Sequence, residues 1–61
     1  MAVFDFFGNE VSVVKANLKD ETVTVITKSG ERLVQPFNLL VSEDGLSGIL
    51  DEAMDNEGVI K

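Results

Sequence analysis

Residues 11–28 read VSVVKANLKDETVTVITK, and the fold is decided by how that stretch is read. β-Branched residues dominate both of its halves, and Thr22-Val23-Thr24-Val25 alternates with the period of two that places successive side chains on opposite faces of a strand. Lys19-Asp20-Glu21 breaks the pattern with a polar turn, so the stretch predicts a hairpin of strands 11–18 and 22–28. Toward the C-terminus, Ser29-Gly30 is a short glycine-bearing connection into a strand over 31–37, with Lys28 and Glu31 expected to face each other across the ladder. Pro36 has no N–H to donate, which assigns that strand to a sheet edge or ends it there. Toward the N-terminus, residues 3–7 followed by Gly8-Asn9 predict one more short strand and turn. The expected sheet is a three- or four-stranded antiparallel meander.

Beyond residue 42 the periodicity changes. Leu46, Ile49, Leu50, Ala53 and Met54 recur at the spacing that gathers side chains on one face of a helix, predicting a C-terminal amphipathic helix over 43–56. Ser42 is the expected cap, Glu43 and Asp44 sit favourably against the positive end of the macrodipole, and Gly58 is a natural stop. Gly48 inside the helix and acids near its C-terminal end weaken it in isolation, so packing of the apolar stripe on the sheet must hold it. The fold class is thus α+β, mainly β, in a single domain of residues 1–61. A short meander ending in a helix resembles the small SH3-like barrels in architecture, a likeness that carries no motif and implies no function.

The 61 residues include neither cysteine nor histidine. Neither a disulfide nor a conventional zinc site is therefore available to stabilise a chain that loses only about 60% of its unfolded surface on folding, and no cofactor is expected. With 44% hydrophobic residues and a mean hydropathy of +0.16, the chain lies on the folded side of the disorder boundary. Its longest apolar runs, such as Leu39 to Val41, are far too short to span a bilayer, and no basic residue precedes Asp5 to open a secretory signal. A cytoplasmic location and no membrane partner are the expectations.

The formal charge of −6 is concentrated at one end. Residues 1–42 hold five acids and four bases, whereas residues 43–61 hold six acids and only Lys61. Asp44, Asp51 and Asp55 fall opposite the apolar stripe, with Glu52 beside them. Carboxylates at i and i+4 lie roughly 5 to 6 Å apart, close to the phosphate spacing of one nucleic-acid strand, so this face could imitate a nucleic-acid backbone; it could equally be a solvated face that keeps a small apolar protein soluble. No EF-hand loop fits residues 51–58, whose glycine is out of register. Lys15, Lys19, Lys28 and Arg32 could form a basic patch, but without Trp or Tyr to stack on bases and with an acidic net charge, direct nucleic-acid binding is not expected. Ser12, Ser29, Ser42 and Ser47 lack a histidine base and sit in no nucleophile motif, so the chain does not read as an enzyme.

The remaining feature is apolar. In a strand over 3–7, Phe4 and Phe6 share one face and Phe7 points to the other with Val3, so both faces need cover; Val59 and Ile60 are a similar leftover pair. Marginal self-stability and a two-faced phenylalanine strand point to a non-enzymatic interaction module that docks on identical copies or on a larger protein assembly through Phe4, Phe6 and Phe7. The alternative is an acidic nucleic-acid-mimic inhibitor, of the viral-antagonist type, that blocks a nucleic-acid-binding protein with Asp44, Asp51, Glu52 and Asp55.

Overall fold

In the computed structural model, which describes residues 2–61, the opening stretch forms the two longest strands, β2 (Glu10–Asn17) and β3 (Thr22–Thr27). They pair antiparallel, with Val11 opposite Thr27, Val13 opposite Val25 and Ala16 opposite Val23. The register slips between Val13 and Lys15, leaving Val14 as a bulge. Strict alternation from Val11 and Val13 would have driven Lys15 into the core; the extra residue turns Lys15 outward and brings Ala16 in. The hairpin turn is held by Asn17, whose side-chain oxygen accepts the Asp20 N–H at 3.0 Å.

β4 (Arg32–Pro36) pairs with β3 alone and forms one edge of the sheet. Phe37 N–H donates to the Glu21 carbonyl and Thr27 N–H to that of Glu31. The antiparallel alternation then points the backbone groups of residues 32, 34 and 36 away from β3. Pro36 falls where no donor is required, which explains a proline within the strand. The expected Lys28–Glu31 pairing does not form, because Thr27 and Glu31 close this hairpin; Lys28 reaches Glu10 instead, at 3.9 Å and in solvent.

The strand expected over 3–7 contracts to β1 (Val3–Phe4), paired with the start of β2. Three elements were not foreseen. A 3₁₀ turn (Phe37–Leu39), followed by the buried Leu40, leads from β4 to β5 (Val41–Ser42), which pairs with β1 at the far edge. After the helix, β6 (Gly58–Ile60) runs parallel to β2, so Val59 joins the core margin instead of remaining a loose apolar end. Strand order β4-β3-β2-β1-β5 is that of an open sheet, with β4 and β5 at opposite edges. The resemblance to a closed SH3-like barrel therefore does not carry through.

The helix, α1 (Gly45–Asp55), is shorter than the expected 43–56. Asp44 occupies the N-cap position without a side-chain cap bond, and the hydroxyl of Ser42 accepts the Asp44 N–H at 3.3 Å. The buried helix residues are Gly48, Ile49 and Ala53; Leu50 is half-buried, while Leu46 and Met54 are 46% and 69% exposed. The inward face is thus rotated by about one residue from the hydrophobic stripe. At Gly48 a Cβ would lie 2.7 Å from Ser42 Oγ and 3.0 Å from Asp44 Cβ, so this turn packs closely against the chain leading out of β5 and a larger residue would have to displace a neighbour.

The core between helix and sheet is made of Val3, Val11, Val13, Ala16, Val23, Val25, Leu40, Ile49 and Ala53. Its largest fully buried side chains are all valines. None of the four phenylalanines is buried. A chain short of core material has left its largest apolar side chains at or near the surface.

Candidate docking site at the hairpin tip

The loop from β1 to β2 is built on Asp5. Its backbone N–H donates to the Asn9 carbonyl at 2.9 Å, and its carbonyl accepts the Gly8 N–H at 3.0 Å. One carboxylate oxygen accepts the N–H groups of both Phe7 and Asn9, each at 2.9 Å. Aspartate is suited to this because its short side chain reaches the backbone two residues on. Gly8 completes the turn at φ +85°, where a Cβ would be strained. The N–H groups of Asp5, Phe7, Gly8 and Asn9 are thereby bonded within the loop, and Phe6 and Phe7 stand at its tip.

Phe6 is 72% and Phe7 85% exposed, with ring centroids 5.9 Å apart and planes at 85°. This edge-to-face contact is a favoured aromatic geometry, so the rings stabilise each other without being covered. The expected strand geometry, with Phe7 opposite Phe4 and Phe6, is not realised because the chain turns at Asp5. Phe4 is separate from the tip: it stays in β1, 37% exposed, between its cross-strand partners Glu10 and Val41. Sequence reasoning singled out the phenylalanines by their pattern but missed the loop; the signal was present as Asp5 followed three residues later by Gly8.

An apolar groove of about 370 Å³ lies at the β5 edge, lined by Phe37, Leu40, Val41, Leu46 and Ile49 with Ser42 and Gly45 among its polar and backbone walls. Leu46, which stays outside the core, forms the groove's helical wall together with Ile49. No feature of the sequence pattern marked it, since its walls come from three elements whose relative placement depends on tertiary packing.

The four acids of the helical region do not form one surface. Asp51 and Asp55 are exposed and lie one turn apart, and Asp44 is exposed ahead of the first turn. Glu52 turns inward, where its carboxylate accepts the Val13 N–H at 2.6 Å. Glu57 is engaged with Arg32 at 2.8 Å in a half-exposed ion pair. Among the described residues no group of three or more Asp, Glu, His or Cys side chains is arranged to hold a metal ion, and no helix is long and apolar enough to cross a membrane. No family model, curated protein or solved structure matches the chain.

Proposed function

We propose that this chain is a non-enzymatic docking module whose contact element is the Phe6–Phe7 tip. The observation that carries the reading is the exposure of the two rings, 72% and 85%, on a loop whose backbone is already hydrogen-bonded. Two large apolar side chains held in water are costly unless something covers them, and a pre-ordered loop surrenders little entropy when it binds. Aromatic side chains, phenylalanine among them, are enriched at protein interfaces. The inward turn of Glu52 leaves Asp51 and Asp55 as a single carboxylate pair on the helix, which favours a solubilising role for that face over nucleic-acid mimicry.

The test is a photo-crosslink. Benzoylphenylalanine in place of Phe7 should give one discrete crosslinked species, either with a second copy or with one other protein, and Phe6→Ser in the same chain should abolish it. The same probe at the exposed Lys19 should not give that species. Identical products from both positions would overturn the reading.

A further inference from the structure

We infer that two copies of this chain pair about a two-fold axis, the Phe6–Phe7 tip of each seated in the groove of the other formed by Leu40, Val41 and Leu46; the inference rests on the tip being the docking element. The groove has room for the rings. An apolar cavity of about 150 Å³ accepts one benzene molecule, and this groove measures about 370 Å³. Tip and groove are also neighbours. Val41, on the groove wall, is the cross-strand partner of Phe4, and Phe6 follows Phe4 by two residues, at most about 7 Å of chain.

That adjacency is what favours a second copy as occupant. An isologous contact requires a surface complementary to itself, and a projection beside a recess meets the requirement, because one two-fold rotation brings each projection onto the other recess. The area suffices. With roughly 200 Å² for a fully exposed phenylalanine, the tip together with the exposed parts of Val41 and Leu46 offers on the order of 500 Å² per copy. Reciprocal insertion then buries at most about 1,000 Å², the size of a weak, reversible interface. Dimerisation also adds apolar burial that a thin valine core cannot supply, and stabilises the fold by mass action. Opposing it is the charge of −6 on each copy, so association strengthens as salt screens the repulsion.

Sedimentation equilibrium tests this with purified chain from micromolar to millimolar concentration, at low and at high sodium chloride. Wild type should pass from 6.6 kDa to twice that mass, at lower concentration when salt is high. The double variant Phe6→Ser/Phe7→Ser has a groove and no tip; Leu46→Glu has a tip and a spoiled groove. Each alone should raise the dissociation constant at least about a hundredfold while its thermal melt stays cooperative. Mixed one to one, they should regain a dimer weaker than wild type, since the tip of one still fits the groove of the other. Val41→Lys serves as a second groove variant should Leu46→Glu fail to fold. A wild type that remains monomeric at millimolar concentration overturns the inference, as does a groove variant that dimerises like wild type or a mixture that does not associate. If the wild type is monomeric yet the position-7 crosslink forms with a different protein, the dimer is lost and the docking reading stands; if no Phe6-dependent crosslink forms, both are lost.

Discussion

The carboxylate of Glu52 accepts the backbone N–H of Val13 at 2.6 Å, doing for β2 what a neighbouring strand would otherwise do. On that side β2 is paired with β1 through Glu10 and Val11 and with β6 from Lys15 onward, and among the described residues no strand lies beside the stretch between. The helix C-terminus fills the gap. Asn56 donates its amide to the Val13 carbonyl at 2.7 Å, and the Glu57 N–H donates to the Val14 carbonyl at 2.8 Å. Backbone groups exposed by a local interruption of the sheet are thus satisfied, and the rotation of the helix that looked unfavourable for Leu46 and Met54 is what brings Glu52 and Asn56 to them.

This predicts a specific ranking in urea denaturation. Glu52→Ala removes the acceptor from a part-buried N–H and should cost about 1 to 3 kcal/mol, whereas Glu52→Gln keeps an acceptor and should cost less. Asn56→Asp should be worse than Asn56→Ala, because it sets an acceptor against the Val13 carbonyl. Equal stability for Glu52→Ala and wild type would show that water serves Val13 as well as the carboxylate does.

Helix truncations should follow burial in the structure and not position in the hydrophobic stripe. Ile49 is 3% exposed, Leu50 half-buried and Met54 largely in solvent. Ile49→Ala should therefore cost about 2 to 5 kcal/mol, enough to unfold much of a marginal domain, with Leu50→Ala intermediate and Met54→Ala nearly silent. Thermal melts of the three variants at one protein concentration give the order.

Much of this fold is legible in the residues that alternate or recur. Thr22 to Val25 specify a strand with Val23 and Val25 in the core, Pro36 specifies an edge, and the recurrence from Leu46 to Met54 specifies a helix. What could not be read depends on where elements meet. The two-residue strands β1 and β5 have too little length for a period, and β6 is defined only by its parallel pairing with β2. The bulge at Val14 is visible only once Lys15 must be kept out of the core. Glu52 falls beside the other acids on a helical wheel, and its inward turn shows only once the helix is seated against β2, a placement no periodicity encodes. The phenylalanines at 4, 6 and 7 were conspicuous, yet their arrangement was set by Asp5, whose role as a loop organiser overrode the strand pattern around it.

Gly48 makes the next prediction run against helix propensity. In an exposed helix interior, Gly→Ala gains about 1 kcal/mol. Here the new Cβ meets Ser42 Oγ at 2.7 Å and Asp44 Cβ at 3.0 Å, so Gly48→Ala should lower the melting temperature. Adding Ser42→Ala removes the closer obstacle and should recover part of the loss, a non-additive pair readable by a double-mutant cycle. Additive effects would mean that the helix shifts without resistance.

Asp5 should act on association more than on folding. Its carboxylate holds two loop N–H groups, both near solvent, so Asp5→Ala should cost the fold no more than about 1 kcal/mol. It should nevertheless weaken dimerisation several-fold, because a loosened tip must be ordered anew on binding. A variant that melts early but dimerises normally once folded would contradict a pre-organising role.

Charge neutralisation separates apolar pairing from nucleic-acid mimicry, because the two assign opposite signs to the same substitutions. Asp44, Asp51 and Asp55 are exposed, and their conversion to amides reduces the net charge from −6 to −3 without changing side-chain shape. Glu52 must be left intact, since its carboxylate serves Val13 and its loss would confound binding with folding. For a dimer held by Phe6 and Phe7, the triple variant carries less mutual repulsion and should associate more tightly than wild type at low salt. The advantage should shrink as the Debye length falls to about 8 Å at physiological ionic strength and to about 3 Å at 1 M salt. A surface that mimics phosphates would behave in the opposite way: the triple variant would lose a binding to a basic protein such as a histone that an unrelated chain of equal net charge does not share, and wild-type binding would itself collapse with salt. Sedimentation of both proteins across a salt series, alongside binding to immobilised histone with an unrelated chain of equal charge as control, therefore gives a sign and not only a magnitude. A triple variant that dimerises no better than wild type at low salt would show that repulsion between copies is not what limits their pairing.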